Sequence, residues 1–535
     1  MRPIRSRTLP VLTLAAVLAG LAAPAVTSVA APAETARAEH GRPAPGDPAW
    51  VASHTVGTER LAPGVELLTL RWGATAADDR WTVLVYLPPE PDGPLAKGSM
   101  ALGPEATARR AEAALRDAGF VPDVERIDVP AFADSPAGAL GWTVKVGSYD
   151  TDARAREALA RLRAAGFAGG TRYTAQDGAD PDAPQAAYVV RVDLDDFDGE
   201  LVAEHGEALN GGERVSDTVA RTGAVAGINA QWFYDNAPAG LYVKDGRLLG
   251  SATQGRGGVL VRDGGRRVDV DAYTSRVLLT ARGESVEVDA VNRIPGKVTN
   301  CGGVGDDTPT LAPQHDLVCT DSSELVKFTP EFGQVPSGAG AEAVLDRRGR
   351  VLDVNARRGA AVPAGGSTVQ AIGESAQWLT DHVRVGQVVR LSERVEDSRG
   401  RRVALTPDTT ILQVGPTLVD DGKVAVNARA DGLFREDGNP TFTYNWVLRS
   451  NPRSALGVDD QGRLLLSVVD GRQAGYSEGL SIADHAQLLW RLGAVEALNL
   501  DGGGSSALAT PDGVVNRPSD AAGQRYLGNA LLLVP

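Results

Sequence analysis

The residues best suited to chemistry lie in LNLDGGGSSAL, Leu498 to Leu508, where an apolar strand delivers Asp501 into three glycines and two serines. Glycines at 502, 503 and 504 permit backbone angles denied to other residues and let main-chain N–H groups crowd around an anion. The hydroxyls of Ser505 and Ser506 add donors. No lysine follows the serines, which excludes a P-loop, and the flanking apolar runs exclude a Gly/Ser linker. Asp501 is either a reacting carboxylate or a turn residue that accepts local N–H bonds. Upstream, NPRSALG (Asn451–Gly457) presents Arg453, whose planar fork suits two phosphate oxygens or a surface carboxylate. Asp470 and Arg472 in VVDGR add a second carboxylate and a second cation, although a tight Asp-Gly turn accounts for Asp470 equally well.

Many short strands must position these groups. Of 535 residues, 62 are glycine and 32 proline, which favours turns and strands over long helical bundles. The length implies about two to four domains. A formal charge of −14 argues against general affinity for nucleic acid or anionic lipid. Arg2, Arg5 and Arg7 followed by an apolar stretch to Leu21 and small residues around Ala30 read as a secretory leader over 1–30, with a Pro-rich linker over 31–58. No later segment approaches a membrane span. In an exported chain Cys301 and Cys319 are expected to form a disulfide. Neither a metal centre nor a cofactor is called for. His485 has no partner at ligand spacing, and the acidic run Asp193–Glu200 fails the EF-hand pattern. Ser481 and Asp484 suit a capping box before a helix.

An internal repeat follows the linker. WTVLVY (Trp81–Tyr86) is echoed by WTVKVG (Trp142–Gly147), and AEAALRDAGF (Ala111–Phe120) by ALARLRAAGF (Ala158–Phe167). Each copy reads as strand, helix, strand, predicting a small four-stranded sheet with both helices on one face. The stretch Gly141–Phe167 resembles the SPOR domain family, which binds peptidoglycan glycan strands stripped of their peptides. The resemblance implies a ferredoxin-like βαββαβ unit over 78–178, with Lys145, Ser148 and Tyr149 as glycan contacts; Tyr149 also fits a packing role.

A second resemblance spans the remainder. AGIN (Ala226–Asn229), DGRLLG (Asp245–Gly250), NPRSALG, LLLSVVDGRQAGYSEGLS (Leu464–Ser481), LNLDGGGSSAL and NRPSD (Asn516–Asp520) occur in this order. The set resembles the phosphodiester glycosidase family, which cleaves a sugar joined through its anomeric carbon to a phosphodiester. The resemblance implies phosphate held by Arg453, by the N–H groups of Gly502, Gly503 and Gly504 and by Ser505 and Ser506. It makes Asp501 the nucleophile, base or electrostatic partner of an oxocarbenium-like centre. Asp470 is a second carboxylate or orients Arg472. Asn229 and Asn499 bond sugar hydroxyls or shape their turns. Where relatives read Asn-Gly-Gly-Phe-Phe, this chain has Asn229-Ala230-Gln231-Trp232-Phe233. Trp232 there is either a sugar platform or an obstruction.

The expected architecture is α+β: a β-rich glycosidase module with few helices over 187–535 (260–440 its β-rich middle) and the SPOR-type domain. A strand over 59–77 belongs to the catalytic module, so the SPOR unit is inserted rather than prefixed. The expected function is that of an exported, wall-associated glycosidase acting on a phosphodiester-linked sugar of a wall or capsular glycan. The alternative is a wall protein that binds glycan without turnover.

Overall fold

A computed structural model describes residues 45–178, 180, 182–253, 255–299, 308–309, 318–433 and 440–535. The leader, the first half of the linker (31–44) and Cys301 lie outside the described residues, and so does the expected Cys301–Cys319 bridge; Cys319 itself is fully buried.

The fold is α+β and dominated by strands. Its central sheet has eight strands in the order Thr55–Ala62, Val65–Trp72, Gln185–Val192, Leu464–Val469, Arg453–Asp459, Ala494–Asn499, Thr417–Asp420, Lys423–Val424, each antiparallel to its neighbours. Both faces of this sheet are buried, and the alternation of side chains shows how. Leu464, Leu466, Val468, Leu456 and Leu498 enter one core, which they share with Ile228, Leu508 and Leu531 of a five-stranded sheet. Leu465, Val469, Ala455 and Ala497 enter another, covered by the helix Ile482–Arg491. Ser481 caps that helix: its hydroxyl accepts from the Asp484 N–H at 3.1 Å and donates to the Asp484 carboxylate at 2.6 Å. The first bond is the N-cap limb of the expected capping box; in the second, Asp484 meets the Ser481 hydroxyl, where a full box would have it meet the Ser481 N–H. The middle of the chain forms further sheets around a separate core, with the helix Gly373–His382 packed on it.

Strand Val65–Trp72 pairs with Gln185–Val192 in continuous register, from Val65 opposite Val192 to Trp72 opposite Gln185. Between them the chain makes a compact unit. Strands Pro122–Val129, Gly138–Tyr149, Trp81–Val85 and Gly169–Tyr173 stand in that spatial order, all antiparallel. Helices Glu105–Asp117 and Asp152–Ala164 cover one face, packing on Val83, Val85, Val144 and Val146. Strand periodicity turns Leu84 to the opposite face. There it packs with Leu102 against Tyr444, with Tyr86, Ile127 and Leu448 around them. The face not covered by helices is therefore seated on the segment 440–449 of the main body.

Polar contacts fix this seating. Asp177 accepts from the Tyr444 hydroxyl and pairs with Lys145 at 2.5 Å and with Arg449 at 3.6 Å. Gln176 donates to Glu478 at 2.7 Å, and Ser450 donates to the Gly178 carbonyl at 3.0 Å. The Asp177 side chain is 3% exposed, so these charges interact in a poorly screened setting.

Candidate active site

Strand Ala494–Asn499 ends where two sheets meet. The Asp501 N–H donates to the Ala230 carbonyl at 2.8 Å, and its carbonyl accepts from Asn229 Nδ2 at 2.5 Å. This ties Asp501 to the end of strand Ala226–Asn229 in the neighbouring sheet. The chain then makes a 3-10 turn, Gly503–Ser505. The Asp501 carboxylate accepts from the Gly502 N–H at 2.8 Å and from Ser505. Burial raises its pKa to about 6, while those hydrogen bonds and the charges of Arg525 and Arg472 pull the other way. At neutral pH the group is mostly ionised.

The three glycines make room for side chains. A Cβ on Gly502 would lie 3.0 Å from Trp446 Cη2 and 2.9 Å from the Pro452 carbonyl oxygen. One on Gly503, whose φ is +61°, would lie 3.0 Å from Arg472 Nη2. One on Gly504 would lie 2.5 Å from both Arg525 Cζ and Asp520 Oδ1. An aromatic ring, a guanidinium and an Arg–Asp pair thus close directly on the backbone beside Asp501. The N–H groups are less available than the sequence implied. That of Gly502 is taken by Asp501, and that of Gly503 donates to the Pro452 carbonyl at 2.9 Å. Ser506 Oγ is buried without a hydrogen-bond partner.

Arg472 is the cation that faces this turn. It is exposed, adopts a positive φ of 59°, and donates from Nε and Nη2 to Asn451 Oδ1 at 3.0 and 2.8 Å. The charges acting on it are Arg525 and Arg172 against Asp520 and Asp501. Arg525 pairs with Asp520 at 2.6 Å. Asp501 is thus flanked by two guanidinium groups, only one of them ion-paired.

Arg453 is placed differently from the expectation of a phosphate clamp. It is 0% exposed. Its Nε donates to the Leu480 carbonyl at 2.7 Å, and Nη2 donates to the carbonyls of Trp446 and Arg449 at 2.6 and 3.2 Å. Its plane lies over the Trp446 ring, 5.0 Å from the centroid. Burial lowers its pKa to about 9, helped by Arg472. Only Nη1 is unspent. In this arrangement Arg453 holds the 446–449 segment and the Trp446 ring in place.

The other expected residues divide between site and scaffold. Asp470 accepts from Asn516 Nδ2 at 3.0 Å, the Arg517 N–H at 2.9 Å and the Tyr476 hydroxyl at 3.1 Å; burial raises its pKa. It pins the 516–517 loop, while Asn451 takes the task of orienting Arg472. Asn229 Oδ1 accepts from Ser454 at 2.7 Å and from the Ala507 N–H at 3.1 Å. Asn499 donates to the carbonyls of Gly415 and Leu500 and lies 3.3 Å from His485 Nδ1. Both asparagines are fully engaged within the protein. Gln231 is turned into the core, donating to the carbonyls of Leu241 and Gln413. Trp232 is half-buried, with Arg256 4.8 Å from its ring centroid and Trp446 edge-on at 6.5 Å. In the smaller unit, Lys145 is 16% exposed and paired with Glu125 and Asp177. Ser148 is exposed, and Tyr149 packs on the helix side.

Sequence reasoning missed Trp446, Asn445, Arg449, Arg525 and Arg172. The first three lie in the π-helical turn Thr443–Leu448 or just after it, a geometry that no local motif announces. Asn451 and Asp520 lay within recognised motifs but had been given no role.

Comparison with known proteins bears on this geometry. The sequence model of the phosphodiester glycosidase family matches residues 339–534, which include Arg453, Arg472 and the Asp501 turn. A crystal structure of a candidate exported protein from Burkholderia pseudomallei K96243 is 32% identical, with a TM-score of 0.78, covering 90% of this chain and 96% of that one. The chain carries a phosphodiester glycosidase domain. It also contains a SPOR domain, matched over residues 100–176. A Bos taurus N-acetylglucosamine-1-phosphodiester alpha-N-acetylglucosaminidase is 31% identical over 104 residues, 19% of each chain. The match thus spans about a fifth of that curated relative. A Synechocystis protein structure shares the fold at 17% identity, with a TM-score of 0.52 over 89% of this chain and 75% of that one.

Proposed function

We propose that this protein is an exported, wall-associated hydrolase that cleaves a sugar-1-phosphodiester. In the reaction, water adds its oxygen to the anomeric carbon, the bond from that carbon to the phosphate oxygen breaks, the phosphomonoester leaves with the electron pair, and the proton that water gives up passes to the phosphate or to solvent. Ionised Asp501 supports positive charge at the anomeric carbon. Arg472 and Arg525 hold the phosphate and the charge that grows on it. A phosphomonoester is stable as an anion, so leaving-group protonation is a minor requirement.

The observation that carries the reading is the juxtaposition of one partly exposed carboxylate, Asp501, with two guanidinium groups across a turn of three glycines. The family match over residues 339–534, and the printed activity of the Bos taurus relative, support the sugar phosphodiester as substrate class. The SPOR domain supports a wall location, and the unit reads as an insertion between strands Val65–Trp72 and Gln185–Val192.

The test is hydrolysis of an N-acetylglucosamine-1-phosphodiester in 18O-labelled water by the full chain. Label in the released sugar is expected. Label in the phosphomonoester, or no turnover, would remove the proposed reaction.

A further inference from the structure

The SPOR unit brings a charged residue of its own to the site. Arg172 on strand Gly169–Tyr173 pairs across the sheet with Thr82 and so shares the face that carries Leu84, the face seated on the main body. Its Nη2 meets Asn445 Oδ1 at 3.5 Å, and its Nε is buried with no hydrogen-bond partner. Arg172 is close enough to repel both Arg449 and Arg472. The nearby carboxylate, Asp177, is already shared by Lys145, the Tyr444 hydroxyl and Arg449. Arg449 Nε is likewise buried without a hydrogen bond. Arg172 and Arg449 thus face each other beside one committed carboxylate, with Arg472 next to them, and their mutual repulsion costs energy unless an anion joins them.

A chain of contacts gives the direction. Arg172 meets Asn445, whose carbonyl accepts from Asn451 Nδ2 at 2.9 Å, and Asn451 Oδ1 in turn holds Arg472, which closes on Gly503 beside Asp501. A substrate with its sugar at Asp501 and its phosphodiester at Arg472 therefore points its other ester arm toward Arg172. We propose that Arg172 and Arg449 form an anion subsite, and that the substrate carries a second negatively charged group on the side of the phosphodiester away from the sugar. The SPOR unit is then a wall of the catalytic site, and its Arg172 determines specificity. This rests on the reading of Asp501 and Arg472 as the reacting site. The second charge has two chemical sources, a further phosphate or a carboxylate.

The test uses the full chain and three N-acetylglucosamine-1-phosphodiesters, with methyl, 3-phosphopropyl or 3-carboxypropyl as the second ester. A charge-assisted pair predicts a preference of about tenfold in kcat/KM for one or both charged probes over the methyl ester. In R172Q that preference should fall to about twofold or less, and R172K should restore part of it. The phosphate and carboxylate probes tell the two sources apart. A preference that is absent in the wild type, or that survives R172Q, overturns the proposal. So does an equal loss on all three probes, which marks Arg172 as a docking residue only. If the wild type turns over no probe, the proposed reaction falls, and calorimetric binding of inorganic pyrophosphate still decides the subsite. R172Q should bind it at least about fivefold more weakly, and equal affinity rejects the subsite.

Discussion

Replacing Asp501 by asparagine separates the cost of this carboxylate from its use. Asn fits: its oxygen can accept from the Gly502 N–H at the existing 2.8 Å, and its amide can donate to the Ser505 hydroxyl. Burial lifts the carboxyl from 3.8 to about 6. Its folded pKa thus exceeds its unfolded one, so the native state binds more protons and stability falls as pH rises through that window. The cost is fully present above about pH 6 and absent below about pH 4. About two pH units at 1.36 kcal/mol each give roughly 3 kcal/mol, which partial exposure trims to about 1–3 kcal/mol. D501N should therefore raise the urea midpoint at pH 8, with roughly half that gain in free energy at pH 5. Turnover of the sugar phosphodiester should fall by about 10²–10⁴-fold, and the wild-type rate should decline below about pH 6. A variant no more stable than the wild type at pH 8, or equally stabilised at both pH values, refutes the buried-anion argument. Wild-type turnover by D501N refutes the role in the reaction.

Three further outcomes follow from the placement of charge. R472Q should raise KM for the phosphodiester by about ten- to a hundredfold with the fold intact by circular dichroism, because it removes a charged donor to phosphate. R453A should instead cost stability, about 1–3 kcal/mol for each of the carbonyls of Leu480, Trp446 and Arg449 left without its donor; denaturant unfolding measures it. D177N should loosen the SPOR unit by about 3–5 kcal/mol, seen as proteolytic release of a fragment within 73–184, because Lys145 and Arg449 lose their counter-charge. Burial opposes ionisation of Asp177, but Lys145 and Arg449 outweigh it and hold its pKa below the usual 3.8. Its contribution is therefore complete above about pH 4 and is lost as pH falls further, so acid should release the unit in the wild type as well.

What the sequence made legible is what strand and helix periodicity encode. The repeat from Trp81 to Phe167 maps onto the four-stranded unit because its apolar residues alternate within strands and recur at helical spacing between them. The Asp501 turn was legible because glycines in a row between apolar strands have few explanations. Their use was not. They were read as a source of free N–H groups, yet two of those groups are engaged by Asp501 and by the Pro452 carbonyl, and the absent side chains matter more. That distinction depends on Trp446, Arg472 and Arg525 arriving from three other segments, which no local pattern records.

The same limit explains the exchange between Arg453 and Arg472. A motif carries a residue type from relative to relative, but whether a guanidinium faces ligand or carbonyls depends on what surrounds it. Arg453 begins a strand at the centre of the main sheet, with the π-helical turn and the Leu480 carbonyl closing around it. A fully buried cation is tolerated only when its donors are met, and three backbone oxygens meet most of them. Arg472 sits in a turn with a left-handed backbone, exposed, with its plane fixed by one amide oxygen and its remaining side-chain donors unpaired among the described residues. A held plane with unspent donors is what recognition of an anion needs, because little orientation is left to lose on binding. The SPOR sheet follows the same logic. Its helix-free face meets the main body instead of open solvent, so an isolated SPOR fragment should expose Leu84 and lose the alignment of Arg172. Joining it to the enzyme by a flexible tether should not restore the preference for a doubly charged substrate.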